Sequence, residues 1–473
     1  MKKHYDLAVI GGGSAGYAAA STAAGLGLDA AVIEGGAEVG GLCILRGCMP
    51  SKTLIESANR AVTIRRAREF GLRAGELSVE GGEIIERKKR LVAEFGGHRR
   101  QQLESGPFDF IRGRAAFTGP HTAEVTHLDG EPPTAIEAKT FLIATGSCLE
   151  TVEIPGLCET GFHDSDEVLE CPEIPGSVIV LGGGATALEF AHYYAGLGAK
   201  VTILQRSGHV LKEMDVDVAT ALAAAFRHRG ISIFLGTHLL RVEGANGKKR
   251  VHFRHERREK SVEGSEIIYA LGRKPHLAGL RLDRAGVRLE NGRLTLNASL
   301  QTEAGHIFAA GDAAGPYEIV HIAAQQGELA ARNAARIVRA ANPAQPLEKI
   351  DYRLKIFAIF SMPEAAAVGM TEKELAAAGI PHLAASHPFN DHGKSLVIGE
   401  TEGFVKLIVA PESREILGAA AVGAKASELI HEIVVAMYFR ATAGDLAQIP
   451  HYHPTLSEIW TYPAEELARK PRA

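Results

Sequence analysis

The same glycine-rich arrangement occurs twice in this chain, and it restricts the possible folds more than any other feature of the sequence. In the first copy, the apolar run DLAVI leads into GGGSAG, a helix-like segment of small residues and a second apolar run, AAVIE. The second copy reads SVIVL, GGGATA, LEFAHYYAGLG and KVTIL. Each copy predicts a strand, a turn, a helix and a second parallel strand. We therefore expect an α/β fold with two doubly wound, Rossmann-like sheets.

The first copy predicts a dinucleotide site. Gly11, Gly13 and Gly16 follow a strand and precede a helix, and Glu34 ends the next strand. Glycines allow the backbone to approach a pyrophosphate at the helix N-terminus, where free N–H groups and the helix dipole favour negative charge. An acid about 20 residues further on can bind the ribose hydroxyls. The complete strand–turn–helix–strand context therefore predicts dinucleotide binding.

The second copy predicts a different nucleotide preference. Its second strand ends in Gln205 and Arg206, where the first copy has the acid Glu34. Arg206, with Lys212 nearby, suits a 2′-phosphate and favours NADPH over NADH. The alternative interpretation is an exposed basic loop. The fingerprint positions of this copy carry small residues, Gly182, Gly184 and Ala187.

Two cysteines five positions apart, Cys43 and Cys48, form the third chemical feature. In an unbroken helix such residues lie roughly 8–9 Å apart at Cα, which exceeds the ~7 Å that a disulfide allows. The segment must therefore bend around Arg46–Gly47, with the helix beginning near Met49–Pro50. Cys48 would then lie at a helix N-terminus, a position that lowers the pKa of a thiol.

Metal binding, a structural staple and a working redox disulfide are the three roles open to this pair. C-x4-C lacks the usual two-residue loop of a zinc site, and no second Cys/His pair has zinc spacing. Structural disulfides are rare in a reducing cytoplasm. The pattern favours a redox disulfide, with no metal and with the other three cysteines as ordinary buried thiols.

Composition and charge exclude several other classes of protein. The 473 residues are too many for a single core, and a net charge of −4 gives no general attraction to nucleic acid or membrane. No export signal and no apolar run of about 18 residues are present, so we expect a cytoplasmic protein. The basic runs ERKKR and HRR, within 86–102, predict the solvated face of a helix.

The C-terminal part of the chain has a different character. NPAQP (342–346) predicts a linker, and within 350–473 FAIFSMPEAAAVG and FVKLIVAPESREILGAAAVG alternate like antiparallel strands. ASELIHEIVVAMYF predicts a strongly apolar helix. A sheet with so apolar a helix is typical of an oligomer interface.

A candidate acid–base pair stands near the C-terminus, in HYHPTLSE. His453 precedes Glu458 by five residues, and Pro454 can bend the chain so that Glu458 folds back and orients the imidazole. The alternatives are a structural His–Glu pair and a metal site formed by His451 and His453.

Taken together, these motifs resemble the pyridine nucleotide–disulfide oxidoreductases, the family of lipoamide dehydrogenase, glutathione reductase and mercuric reductase. The resemblance covers the whole chain, with the motifs in the family's order. They are GGGSAG, C-x4-C-x-P-S-K, the ATG at 144–146, the second glycine fingerprint, ALGRKPH, IFAAGD, SMPEAAAVG and HPTLSE.

The resemblance implies three domains, two cofactors and a homodimer. Residues 1–150 and 275–345 would bind FAD, residues 151–274 would bind NADPH (with NADH less favoured), and residues 346–473 would form an α+β dimerisation domain. The active site would be shared between chains, because the C-terminal domain would deliver its histidine to the partner's disulfide. The substrate would be a small disulfide.

The resemblance also implies how the reacting groups divide the chemistry. Cys43 would exchange with the substrate disulfide, and Cys48 would lie against the flavin. His453, held by Glu458, would protonate the thiolate that leaves after attack by Cys43.

Further residues acquire implied roles around the cofactors. Lys52 and Glu189 would form an ion pair beside the flavin N5, where it makes the arrival of a hydride easier. Asp312 would hold the ribityl chain of FAD, and Gly311 would allow its close approach. Gly146 of the ATG motif would belong to the FAD site, and Gly272 of ALGRKPH to the NADPH site.

Several positions depart from the patterns of individual relatives. Ala185 stands where many have a tyrosine over the nicotinamide pocket, and Ser21 and Thr22 stand where glutathione reductases tend to have basic residues. Gln205–Arg206 replaces the acid usual in lipoamide dehydrogenases. The C-terminus lacks the cysteine pair of mercuric reductases.

We therefore predict an enzyme that passes electrons from NADPH through FAD and the Cys43–Cys48 disulfide to a low-molecular-weight disulfide such as a lipoyl group. The alternatives are a dihydrolipoamide dehydrogenase that reduces NAD and a mercuric or other metal-ion reductase. A non-catalytic flavoprotein subunit of a larger assembly is a third alternative, although a pure scaffold would need neither the cysteine pair nor the His453–Glu458 pair.

Overall fold

A computed structural model describes residues 3–339 and 346–471 of the chain. The chain forms two compact units. None of the helices within the described ranges is both long and apolar enough to cross a bilayer. The predicted linker at 342–346 lies, except for its last residue, outside the described residues. The first unit comprises Met1–Pro50, Arg87–Thr151 and Arg273–Asp351, and the second comprises Ser51–Glu86, Val152–Gly272 and Tyr352–Ala473.

The described strands form a mixed sheet, a parallel sheet, two antiparallel sheets and two short two-stranded pairs. In chain order they are β1 Lys3–Ile10, β2 Ala30–Glu34, β3 Asp109–Gly119, β4 Thr122–His127, β5 Thr134–Ile143, β6 Ser147–Leu149, β7 Ser177–Leu181, β8 Lys200–Gln205, β9 Ser232–Leu235, β10 His238–Ala245, β11 Lys248–His255, β12 Arg258–Gly264, β13 Glu266–Tyr269, β14 Arg273–Pro275, β15 Leu289–Glu290, β16 Arg293–Leu294, β17 Ile307–Ala309, β18 Ile356–Ile359, β19 Glu364–Gly369, β20 Leu383–Pro388, β21 Phe404–Val409 and β22 Ile416–Gly423.

Helices alternate with strands along the chain in both units. In chain order they are α1 Ser14–Gly25, α2 Gly41–Leu45, α3 Cys48–Arg65, α4 Gly81–Glu104, α5 Leu157–Thr160, α6 Ser165–Glu170, α7 Ala185–Leu197, α8 Val216–His228, α9 Val320–Arg339, α10 Glu372–Ala377, α11 Gly393–Ile398, α12 Ala426–Tyr438, α13 Ala443–Gln448 and α14 Thr461–Arg469.

The first unit is built on a six-stranded sheet whose parallel part contains β1. β1 lies between β2 and β5, and β17 pairs in parallel with the other edge of β5. Ile10 at the end of β1 lies opposite both Ile33 and Ile143. The turns that follow β1 and β5 therefore leave the same edge of the sheet, which is where α/β folds bind ligands.

The small residues of α1 are explained by its close packing on α9. Ala15, Ala19 and Ala23 are buried. A Cβ placed on Gly327 of α9 would lie only 2.2 Å from the backbone oxygen of Ala15. Any side chain at that position would force the two helices apart, so the alanine-rich pattern is a requirement of this packing.

The second unit repeats the same arrangement with β7, α7 and β8. β7 lies between β8 and β13 in parallel, as β1 lies between β2 and β5. The unit also contains the antiparallel sheet β10–β11–β12 and the five-stranded antiparallel sheet β18–β19–β22–β21–β20. The predicted charged hairpin at 251–264 corresponds to β11 and β12.

One hydrophobic core joins the parts of the second unit. Ile359 and Val422 of the five-stranded sheet share a cluster of buried side chains with Tyr193 of α7 and Phe226 of α8. Leu54 of α3 belongs to the same cluster. Because contacts group 152–272 with 352–473, the boundary between an NADPH-binding domain and a dimerisation domain stays a prediction.

Candidate active site

The turn between β1 and α1 forms the first nucleotide cradle. Gly11 has a φ of +109°, and a Cβ on it would lie 2.3 Å from the backbone oxygen of Ala144. A Cβ on Gly16 would lie 1.8 Å from the backbone oxygen of Gly11. Gly13 is the N-cap of α1, and neither a capping side chain nor an acid in the first turn competes for the helix N–H groups. These groups are left available for an anion, as a pyrophosphate requires.

Glu34 faces this cradle from the end of β2. Its carboxylate accepts hydrogen bonds from the backbone N–H of Gly12 at 2.7 Å and from that of Gly36 at 2.6 Å. Both contacts fix the carboxylate beside the glycine turn, as the sequence predicts for an acid that receives ribose hydroxyls.

A second set of polar groups lies beyond β5 in the same unit. Gly146 has a φ of +71° and open space where its Cβ would be. The buried hydroxyl of Thr145 has no hydrogen-bond partner among the described residues. Gly311 has a φ of +68°, and its N–H donates to Gln326 at 2.7 Å. An open glycine backbone beside an orphaned hydroxyl fits a polar ligand that runs past the sheet edge.

Asp312 is tied into this polar set. Its carboxylate accepts a hydrogen bond from the Ser147 hydroxyl at 2.6 Å. Arg273 donates in turn to the Ser147 hydroxyl at 2.9 Å. The first unit therefore offers an anion cradle at α1 and hydroxyl-binding groups at Asp312 and Thr145, and these residues fit FAD.

The second unit contains an equivalent cradle. Gly182 has a φ of +116°, and a Cβ on it would lie 2.2 Å from the backbone oxygen of Ala270, which repeats the relation of Gly11 to Ala144. Gly184 caps α7 without a side-chain hydrogen bond, and Ala187 is fully buried. Gly272 has a φ of +120°, and a Cβ on it would meet no other atom of the described residues within 4 Å. These residues fit a second dinucleotide.

The acid of the first cradle is replaced by a neutral side chain in the second. Gln205 packs against Gly183, whose Cβ would lie 2.9 Å from the Gln205 side chain. Arg206 follows it and is exposed, and Lys212 is exposed in an ion pair with Glu213 at 3.3 Å. The two basic side chains stay candidates for binding a 2′-phosphate.

Cys43 and Cys48 lie on two helices separated by a sharp break. α2 ends at Leu45, and α3 begins at Cys48. A Cβ placed on Gly47 would lie 3.1 Å from the Cα of Cys43, so the chain doubles back on itself here. The break falls at the predicted Arg46–Gly47, and α3 begins one residue earlier than predicted. Cys48 stands at a helix N-terminus, where the dipole favours an anionic thiolate.

A close backbone contact fixes α2 beside the nucleotide cradle. Gly41, the first residue of α2, has a φ of +74°, and a Cβ on it would lie 2.6 Å from the Cα of Gly13. Only glycine allows the two helix N-termini to approach so closely. Cys43, two residues further along α2, is therefore held next to the turn that cradles the pyrophosphate.

The predicted ion pair between Lys52 and Glu189 is present in the second unit. Lys52 Nζ lies 2.9 Å from Glu189 Oε2, and the Glu189 side chain is only 7% exposed. The other carboxylate oxygen of Glu189 accepts the backbone N–H of Phe360 at 3.2 Å. Lys52 Nζ also lies 4.9 Å from the centroid of the Phe360 ring. The lysine ammonium is therefore held in one place by a charge and an aromatic face.

The predicted pair at the C-terminus is also present. His453 Nδ1 lies 2.9 Å from Glu458 Oε2. The His453 side chain is 79% exposed, whereas that of Glu458 is 12% exposed. The geometry is that of an accessible imidazole held by a fixed carboxylate, as acid–base catalysis requires. His451 instead bonds to Glu432 at 2.6 Å, so its ring serves a structural contact.

The sequence did not predict a second histidine on the same carboxylate. His392 is fully buried, and its Nε2 lies 3.3 Å from Glu458 Oε1. Its Nδ1 lies 2.8 Å from the Ser395 hydroxyl. Burial lowers the pKa of His392, although the nearby Glu458 opposes the shift. The contact with Glu458 is therefore close and polar but is not a hydrogen bond, because Nε2 has no hydrogen-bond partner among the described residues.

Replacing His392 with phenylalanine should lower kcat without removing the His453–Glu458 contact. A polar contact to a largely buried carboxylate contributes about 1 kcal/mol, so we expect roughly a fivefold loss of kcat when Glu458 is held less firmly. Steady-state measurements of kcat across a range of pH test this expected loss. His392→Gln, whose amide keeps a polar group beside Glu458, should restore most of the rate, and the exposed His228→Phe is the control. An unchanged kcat in folded His392→Phe would show that His392 serves packing alone.

Comparisons with known proteins agree with this arrangement. The sequence profile of the pyridine nucleotide-disulphide oxidoreductases matches residues 5–327, and that of their dimerisation domain matches residues 357–464. The chain is 32% identical over 469 residues to the dihydrolipoyl dehydrogenase of Bacillus subtilis (strain 168), with 97% of each chain covered. It is 31% identical over 456 residues to the mercuric reductase of Bacillus cereus, with 96% of this chain and 70% of that protein covered.

A solved structure shows the same overall similarity. The Cu(II) complex of the HOCl-induced flavoprotein disulfide reductase RclA from Escherichia coli gives a TM-score of 0.83 at 28% identity, over 98% of this chain and 100% of that one. The match to the dimerisation domain indicates a homodimer. The predicted fold class of two Rossmann-like domains with a dimerisation domain is confirmed. The chain belongs to the pyridine nucleotide-disulphide oxidoreductases, a family of enzymes that bind FAD and a pyridine nucleotide.

Proposed function

We propose that the enzyme uses NADPH to reduce a low-molecular-weight disulfide, such as a lipoyl group, through the Cys43–Cys48 pair. The observation that carries this proposal is the break between α2 and α3. The chain folds back there, so that a Cβ on Gly47 would lie 3.1 Å from the Cα of Cys43. A helix without this break would keep the two sulfurs too far apart for a disulfide. The chemistry that bound FAD supplies is the transfer of two electrons from NADPH to this disulfide.

The two cysteines then reduce the substrate by exchange. The thiolate of Cys43 attacks one sulfur of the substrate disulfide, forms a mixed disulfide and releases the other sulfur as a thiolate. The thiolate of Cys48 attacks the Cys43 sulfur, regenerates the Cys43–Cys48 disulfide and releases the second substrate thiol. One disulfide thus yields two thiols, at the cost of one NADPH and one proton.

The proton for the first leaving group comes from His453. The protonated imidazole donates to the released thiolate, and Glu458 keeps the ring oriented and stabilises its charged form. The exposure of His453 in its own chain supports a role at the disulfide of the partner subunit. The proposed active site is therefore shared across the homodimer.

The charged groups beside the cofactors complete the proposed site. Lys52, one helical turn after Cys48 on α3, would lie near the flavin, with Glu189 as its counter-ion. A positive charge there favours the arrival of a hydride. Arg206 and Lys212 would bind the 2′-phosphate of NADPH.

Oxidation of dihydrolipoamide with NAD is the second candidate, and the similarity to the Bacillus subtilis dihydrolipoyl dehydrogenase favours it. Gln205 argues against it, since a neutral amide takes the place that Glu34 has in the first cradle. Reduction of mercuric ion has weaker support, because residues 172–473 contain no cysteine that could act as a further soft ligand for the ion.

Coenzyme preference and turnover can be tested together. The purified enzyme should oxidise NADPH in the presence of lipoyl disulfides, and Arg206→Glu should lower kcat/KM for NADPH by roughly 10- to 100-fold, because a charge-assisted contact to phosphate becomes a repulsion. The value for NADH should change little. Arg258→Glu, on an exposed strand of the same unit, is the matched control.

Two results would contradict the proposed use of NADPH or the proposed role of Arg206. A wild-type enzyme that turns over only NAD with dihydrolipoamide would establish the second candidate. An Arg206→Glu variant with unchanged kinetics for NADPH would show that other residues bind the 2′-phosphate.

A further inference from the structure

Arg99 of α4 is turned into the first unit, although it belongs to the charged run HRR. Its neighbours in that run, His98 and Arg100, are exposed, as the sequence predicts for a solvated helix face. The Arg99 guanidinium instead lies 4.2 Å from the centroid of the Tyr17 ring of α1. Arg99 thus departs from the solvated face that the sequence predicts for this helix, because its guanidinium packs on an aromatic ring of α1 that no pattern within α4 can reveal.

The polar atoms of Arg99 are not satisfied within the described part of the chain. Its Nε and Nη1 are buried and have no hydrogen-bond partner among the described residues. Three other arginines each have one buried nitrogen without a hydrogen-bond partner among the described residues. Each of them also donates through another nitrogen to a backbone carbonyl; they are Arg112, Arg353 and Arg414. A buried donor without an acceptor is costly and points to a missing partner.

The charge of Arg99 is also uncompensated, and it lies near the reactive segment. Burial lowers the pKa of the guanidinium, and only Tyr17 and Cys43 oppose that shift. No carboxylate contributes to the pKa shift of Arg99. The neighbouring helix α1 carries no charged side chain. A Cβ on Gly96, one turn before Arg99 on α4, would lie 3.5 Å from the side chain of Leu45, so this face of α4 packs against α2.

We propose that Arg99 binds a carboxylate of the disulfide substrate while a substrate sulfur reaches Cys43, so that the enzyme selects acidic disulfides over neutral ones. This inference rests on the proposed function. A guanidinium donates charge-assisted hydrogen bonds to a carboxylate, and both Nε and Nη1 of Arg99 lack an acceptor among the described residues. The face of Tyr17 holds the guanidinium plane in place before the substrate arrives, which reduces the entropy lost on binding.

Lipoate and lipoamide provide the direct test, because they share one disulfide ring and differ in a carboxylate against an amide. The wild-type enzyme should favour lipoate in kcat/KM by roughly 10- to 100-fold, the range of one hydrogen-bonded charge contact. Arg99→Gln should abolish this preference by slowing lipoate alone, and Arg99→Lys should keep part of it. Arg100→Gln, which alters the exposed neighbour paired with Glu104, should leave the preference unchanged.

Binding of octanoate separates the failure of this inference from that of the proposed function. Octanoate carries the carboxylate without a disulfide, so calorimetry measures its affinity without turnover. Tighter binding of octanoate than of octanamide to wild type, lost in Arg99→Gln, supports the inference even if no disulfide is reduced. Equal binding of both, or lipoate turnover unaffected by Arg99→Gln, overturns it while leaving disulfide reduction intact. Loss of FAD from purified Arg99→Gln would also overturn it, by assigning Arg99 to the cofactor.

Discussion

Replacing Cys48 with serine should reduce disulfide turnover with NADPH by roughly 10³-fold or more, as expected when a covalent catalytic group is removed. Cys48 is needed to re-form the Cys43–Cys48 disulfide and to release the second substrate thiol. Without it, a Cys43 mixed disulfide has no resolving thiol, and the catalytic cycle stops after one exchange. Steady-state oxidation of NADPH with lipoate measures the loss.

A matched cysteine variant keeps this result interpretable. Cys158 is exposed, so the expectation of a buried thiol is wrong here, and Cys158→Ser should retain full turnover. Cys43→Ser should lose turnover as completely as Cys48→Ser, and both variants should retain FAD, because the anion cradle at α1 is formed by backbone groups. A Cys48→Ser enzyme that reduces lipoate at the wild-type rate would remove the cysteine pair from the mechanism.

Replacing Lys406 with methionine should destabilise the second unit by about 3–5 kcal/mol, the usual cost of leaving buried charges without their partner. Its side chain is 3% exposed, and its Nζ lies 2.8 Å from carboxylate oxygens of Asp215, Asp217 and Glu372. These three carboxylates lie close enough together to suggest a cation site. The lysine ammonium already supplies that cation. Urea-induced unfolding measures the loss.

The pH dependence of this effect follows from the two most buried partners. Burial alone would lower the pKa of Lys406, but hydrogen bonds to the carboxylates outweigh burial and raise it. Burial would raise the pKa of Asp215, but hydrogen bonds from Lys406 and from backbone N–H groups outweigh it and lower the pKa. The stabilisation from Asp215 is therefore present above its unfolded pKa of about 3.9, and that from Lys406 below its unfolded pKa of about 10.4.

The stability difference between wild type and Lys406→Met should accordingly be full at pH 7 and shrink as the pH falls below about 4. Lys260→Met is the control, because Lys260 is partly exposed and contacts the exposed Glu256 together with His255 and the ring of Phe234. This substitution should cost less than about 1 kcal/mol. A Lys406→Met variant as stable as wild type at pH 7 would show that the carboxylates find other compensation.

The local parts of the site could be predicted from the sequence because they depend on backbone geometry. The positive φ at Gly11 and Gly182, and the lack of room for a Cβ at each, are properties of one strand–turn–helix unit that recurs. The break at Arg46–Gly47 follows from the distance that two cysteines must span. His453 and Glu458 are close in the chain, so a single turn can bring them together.

The remaining contacts join residues far apart in the chain. His392 reaches Glu458 only because α11 and the segment before α14 pack together. Lys406 meets Asp215 because one hydrophobic core joins β21 to α8. Arg99 stands in a run of three basic residues, and its inward rotamer depends on the ring of Tyr17. No period or spacing in a single segment encodes such pairings.

The central claim is that electrons pass through a reversible bridge between Cys43 and Cys48, and alkylation of the two thiols tests it most directly. Anaerobic enzyme is treated with iodoacetamide before or after addition of NADPH, and the modified residues are identified by mass spectrometry. We predict that Cys43 is alkylated only after NADPH has been added, and that the alkylated enzyme no longer reduces lipoate. Undiminished turnover after alkylation of both cysteines would contradict the claim.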